Sequence, residues 1–146
     1  MWWLLTQHFG LRGRQEHHQM KVEDFTLQHD NEGNEFLTFA KGPTKTRQGE
    51  LNAKNRLVTP KMFATGNEER IPVMLFKRYL EKWPSEMQKS GPFYPTVIEK
   101  PVSSIWYKKT PMSKDTRNTI MKNMRENSLL KDLCPEKNFT NHSARK

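Results

Sequence analysis

Apolar residues recur at Trp2, Leu5 and Phe9, the spacings of three and four that line one face of a helix, and Gly10 follows where helices commonly end. The pattern predicts a short helix over residues 2–9. The polar stretch "RGRQEHHQM" then reads as the opening of a second short helix, with Arg12 at the junction, where unpaired backbone N–H groups and the helix dipole favour an anion. Further on, "VEDFTLQH" and "EFLTFA" carry the aromatic and β-branched residues that strands favour, and they flank the turn-rich "DNEGN". This predicts a β-hairpin.

Residues 41–61 lose all periodicity and gain charge: Lys41, Lys45, Arg47, Lys54, Arg56 and Lys61 face only Glu50, which predicts a basic surface loop or irregular strand. Periodicity returns in "IPVMLFKRYLEKWP". Here Val73, Phe76, Tyr79, Leu80 and Trp83 form one stripe, Pro72 sits in the first turn, and Pro84 stops the helix. Such a stripe is core rather than ligand site. Prolines 84, 92, 95 and 101 then predict a crossing loop with little regular structure, laid over the core by Phe93, Tyr94, Ile105 and Trp106. The segment "MSKDTRNTIMKNMREN" predicts a last helix capped by Ser113, with Ile120 and Met124 inward and Lys114, Arg117, Lys122 and Arg125 mostly outward.

Charge sharpens this picture. Lys and Arg total 25 against 16 Asp and Glu in 146 residues, a net charge of +9 that favours an anionic partner, nucleic acid first. Leu, Ile, Val and Phe are 29 of the 146 residues, close to the ~20% level below which charged chains stay disordered, so methionine and the other aromatics must complete the core. No run approaches the ~20 apolar residues of a membrane span, so no membrane partner is expected. The start, "MWWLLTQHFG", has neither a basic lead-in nor a small-residue cleavage site, so the expected compartment is intracellular.

Cys134 is the only cysteine, which excludes an internal disulfide and a thiolate zinc site and leaves a half-buried thiol as its reading. His17 and His18 are adjacent and point different ways on a helix, so no metal is expected there, and no cofactor is expected elsewhere. The sequons "NFT" and "NHS" matter only in secreted chains.

Three elements fall in one order: "FGLR" at 9–12, a lysine just after the hairpin, and "HSAR" at 142–145, whose His142 and Arg145 share one face if that stretch opens a helix. The series resembles the catalytic domain of tyrosine recombinases. Longer strings, "TKTRQG", "PKMFATGNEERIPVMLFKRYL", "SSIWYKKTPMS" and "TNHSARK", cover nearly the whole chain. They are similar to the Crypton-derived recombinase-like domain at the C-terminal end of zinc finger MYM-type proteins and of a glutamine-rich protein.

The resemblance implies an α+β, mainly helical fold: an incomplete tyrosine-recombinase catalytic-domain-like fold with a small β-hairpin. It implies that residues 1–146 are one partial domain, with the upstream clamp domain and the C-terminal tyrosine segment absent. In such enzymes a tyrosine attacks a DNA phosphate, two arginines hold its oxygens, a lysine protonates the leaving oxygen and a histidine assists. Guanidinium suits this task because it is planar, permanently charged and bidentate.

By position, Arg12, with Arg14 as its alternative, and Arg145 correspond to the phosphate clamp and His142 to the proton-handling group. Spacing favours Lys41 for the lysine, whereas "TKTR" favours Lys45; both stay open. The nucleic-acid-binding set expected on these grounds is Arg12, Lys45, Arg47, Lys54, Arg56, Lys108, Lys109 and Arg145. Tyr79, Tyr94 and Tyr107 all precede His-x-x-Arg, so the nucleophile the pattern requires is missing and catalysis is not expected. The implied protein is a catalytically inactive nuclear module that binds the DNA backbone or nuclear protein partners. The alternative is a piece of an active recombinase performing strand exchange.

Overall fold

The computed structural model describes residues 1–11, 13–40, 59–64 and 71–141. Helix α1 (Trp2–Phe9) forms as its spacing dictates: Trp2, Leu5 and Phe9 are buried, and Gly10 ends it in the left-handed conformation at φ 59° that a glycine adopts without strain. Helix α2 (Gly13–Gln19) follows, and its His17 turns into the interior.

The hairpin forms from β1 (Phe25–His29) and β2 (Glu35–Phe39), paired antiparallel with Leu27 opposite Leu37. Its turn is built by Asp30, whose Oδ1 accepts from the backbone N–H groups of Glu32 and Asn34 at 2.9 and 2.8 Å. A third strand, β3 (Lys61–Phe63), extends the sheet in the order β1-β2-β3 and buries Met62 completely. On the sheet's other face Phe36 meets Phe63 at 5.3 Å, and Lys61 Nζ sits 4.1 Å above the Phe36 ring.

Helix α3 (Pro72–Glu81) carries Pro72 in its first turn and buries Val73 and Phe76; Trp83, just past its end, is fully buried. A second sheet pairs β4 (Pro95–Val97) with β5 (Tyr107–Pro111), where a four-proline loop with little regular structure was expected. The prolines conceal the pair without preventing it. Pro95 opens one strand and Pro111 closes the other, and the flanking bonds Ile98 N–H to Trp106 O (2.8 Å) and Met112 N–H to Tyr94 O (2.7 Å) avoid the missing donors.

The last predicted helix is two helices, α4 (Lys114–Asn118) and α5 (Ile120–Glu126), followed by the single turn α6 (Leu130–Leu133). Ser113 caps α4 as expected, accepting from Thr116 N–H. The break falls at Thr119, whose hydroxyl bonds back to the carbonyls of Asp115 and Thr116 and competes with the helical ladder.

The expectation of a mainly helical, recombinase-like fold with one hairpin is therefore corrected. Among the described residues the architecture is α+β, with short helices and two small antiparallel sheets, and nothing in it marks a recombinase fold. Three side chains also lie differently from expectation. Trp106 and Met124 are exposed, and Arg125 is turned inward to donate to the carbonyl of Pro135 at 2.9 Å. Cys134 is half-buried, as read.

The core joins the first sheet and α3 through Phe93, which touches Phe25 at 4.6 Å, Tyr94 at 5.1 Å, Tyr79 at 5.4 Å and Phe76 at 5.9 Å between ring centres, and α1 joins it through Phe9, 5.7 Å from Phe39. An aromatic hub compensates for the shortage of aliphatic residues, because each ring buries a large area at low entropic cost.

Candidate nucleic-acid interface

Most of the cations expected at the site, namely Arg12, Lys41, Lys45, Arg47, Lys54 and Arg56, together with His142 and Arg145, lie outside the described residues. The two within them, Lys108 and Lys109, stand exposed on β5. Successive residues of a strand point to opposite faces, so these two lysines do not form one patch. Lys109 Nζ lies 2.7 Å from Glu86 Oε1 and holds that carboxyl below its ordinary range; Lys108 has no partner among the described residues.

The described neighbours of the expected clamp are firmly held. Leu11, directly before Arg12, is fully buried, and α2, directly after it, packs against α4. Asn141, directly before His142, is buried; its Nδ2 donates to Arg117 O at 2.8 Å, and its Oδ1 accepts from Met121 N–H at 3.3 Å. Asn141 is thus tied to the backbone of both α4 and α5, the region on which α2 also packs.

A buried polar chain that sequence reading missed links α1, α2 and Tyr94. Thr6 Oγ1 donates to Trp2 O at 2.9 Å, which uses its one hydrogen. His17 Nε2, 2.9 Å from Thr6 Oγ1, must therefore be the donor, and His17 Nδ1 accepts from the Tyr94 hydroxyl at 2.8 Å. The imidazole is neutral, its tautomer fixed, and its face stacked on Trp2 at 4.6 Å. Burial, reinforced by the charges of His18 and Arg117, lowers its pKa to about 3. With both nitrogens engaged, His17 has no lone pair left for a metal.

Each tyrosine is buried or half-buried, and burial raises the phenol pKa, well above the ordinary value for Tyr79 and Tyr94. Tyr79 donates to Phe93 O at 3.1 Å, so neither it nor Tyr94 is poised as a phenolate. Among the described residues no group of three His, Cys, Asp or Glu is arranged to hold a metal ion, and no helix is long and apolar enough to cross a membrane.

Fold and surface together define a small α+β domain with a strongly positive balance of charge. The chain belongs to the family described as a domain of unknown function (DUF3504), whose model matches residues 1–126. That match takes in Arg12, the basic stretch and both lysines of β5, but stops short of His142 and Arg145. No curated protein and no solved structure matches the chain.

Proposed function

We propose that the chain is a catalytically inactive module of Crypton-derived, recombinase-like origin that binds the phosphate backbone of duplex DNA in the nucleus. The observation that carries this reading is the ordered series "FGLR", basic stretch, "HSAR" in a chain of net charge +9. The burial of Leu11 and Asn141, the described neighbours of Arg12 and His142, supports it, because preorganisation lowers the entropic cost of binding. Arg12 and Arg145 grip the phosphate, and Lys45, Arg47, Lys54, Arg56 and Lys108 follow the strand. Lys109 contributes less, since Glu86 already neutralises it. The absence of an activated phenol among the described tyrosines favours binding over strand exchange.

Such binding is sequence-independent and salt-steep, with dissociation constants on the order of 10⁻⁴ to 10⁻⁶ M at physiological salt. Titrating labelled duplex at low and moderate salt tests it. The Arg12→Gln and Arg145→Gln pair should weaken binding and lower the salt slope by about 2. Absence of binding at low salt, or an unchanged slope in the pair, refutes the clamp; a covalent protein–DNA adduct in denaturing gels restores the strand-exchange alternative.

A further inference from the structure

Between α1 and α3 the surface sinks into a mostly apolar groove of about 710 Å³ whose lining includes Met1, Leu4, Leu75, Tyr79, Trp106 and Met124. Four large apolar side chains stand open to water at its edges: Trp3 and Trp106 at 46%, Leu75 at 39% and Met124 at 49% exposure. Single exposed apolar residues are ordinary, whereas several gathered around one concavity mark a binding surface.

The rim is cationic. Arg78 and Lys82 stand four residues apart on one edge of α3 with only Glu81 between them in charge. Neither has a carboxylate partner among the described residues, although nearby lysines do: Lys77 pairs with Glu35 and Lys109 with Glu86. Lys82 instead lies 4.8 Å over the Trp106 ring, which keeps its charge at the mouth of the groove.

We propose that this groove receives an amphipathic helix of a partner protein, with its apolar face on Leu75, Trp106 and Met124 and its acidic edge on Arg78 and Lys82. The dimensions suit two turns of helix. The 8 residues of α1 and 10 of α3 make walls of about 12 and about 15 Å, and anchors at i, i+3 or i+4, and i+7 span about 10 Å. Methionine and tryptophan surfaces adapt readily to such anchors.

An added strand fits less well. Trp106 gives its N–H to Lys82 O at 2.8 Å, and its carbonyl accepts from Ile98 N–H, so that wall has neither group to spare. A second copy would bring two cationic rims together, a like-charge juxtaposition that costs affinity. Single-stranded nucleic acid would need several open aromatic faces along one track, and one face of Trp106 is already taken by Lys82. The inference stands apart from the DNA reading and uses none of its residues.

Display selection with the full chain against random peptides of about 16 residues tests it. Enriched peptides should share Leu, Phe or Met at helical spacing flanked by Asp and Glu, and should change tryptophan fluorescence on binding. Leu75→Glu should weaken a selected peptide at least tenfold, and Arg78→Glu with Lys82→Glu several-fold; Lys21→Ala, outside the groove lining, should leave it unchanged. Circular dichroism checks folding, and Met124→Glu replaces Leu75→Glu if the latter unfolds. Failure to enrich, enrichment of basic or proline-rich peptides, or binding indifferent to the groove variants overturns the proposal. So does displacement of the peptide by a single-stranded oligonucleotide, or self-association that Leu75→Glu abolishes.

Discussion

Acidification to pH 5 should destabilise this domain through one buried histidine. His17 is 1% exposed, lies between Thr6 and Tyr94, and has a pKa of about 3 against an ordinary 6.5. Between those two values the unfolded chain takes up a proton that the folded state refuses, so stability falls as pH drops through 6.5 and levels off below 3. A difference of about 3.5 pK units corresponds to roughly 4–5 kcal/mol when protonation is complete, and about 2 kcal/mol of that is already lost at pH 5. For a chain of this length 2 kcal/mol lowers the melting temperature by roughly 4–8 °C. The geometry explains why the proton is refused. An added hydrogen on Nδ1 would point at the hydroxyl hydrogen of Tyr94, and the buried phenol would have to turn away from its partner.

Thermal unfolding followed by circular dichroism at pH 7.5, 6 and 5 reads the effect. His17→Gln should be less stable at pH 7.5 but should lose about 2 kcal/mol less than the wild type on going to pH 5. The carboxyls of Glu23, Asp30 and Glu86 are also held below their ordinary values, but their contribution disappears only at lower pH, which is why pH 5 isolates the histidine. His8 and the Met1 amino group, both lowered by burial, add the same sign in both proteins and cancel in the comparison. Equal pH slopes in wild type and variant, or a His17 ring resonance titrating near 6.5, would refute the reasoning.

Phe93→Ala removes the ring shared by Phe25, Phe76, Tyr79, Trp83 and Tyr94 and should cost about 3–5 kcal/mol, read from the urea midpoint. Ser113→Ala deletes the cap bond to Thr116 N–H and should cost about 1 kcal/mol, seen as faster amide exchange in α4. Lys109→Ala should leave the melting temperature essentially unchanged because its pair with Glu86 is exposed, while Lys108→Ala should reduce the salt slope of DNA binding by about 1.

What the sequence disclosed divides by the distance over which each element finds its partners. In α1, the β1–β2 hairpin and α3 the informative contacts lie within one element or across one turn, so periodicity, Gly10, Asp30 and Pro72 sufficed. Strand β3 is three residues long after an aperiodic basic stretch, too short for alternation to register. The β4–β5 pair was hidden because proline was read as a breaker, when at strand ends it costs no ladder bond. The polar chain joins residues 6, 17 and 94, and no local pattern announces a histidine whose donor and acceptor come from elsewhere in the chain. Arg125 was misjudged for the same reason: helical spacing turned it to solvent, but the carbonyl of Pro135 draws it in. Charge behaves in the opposite way. Net charge and its runs can be counted directly, yet charge alone cannot distinguish Lys109, already neutralised by Glu86, from Lys108 beside it. The electrostatic footprint of an anion site is thus readable in one dimension, whereas the share of it left free to meet a phosphate is decided by ion pairs that only the fold creates.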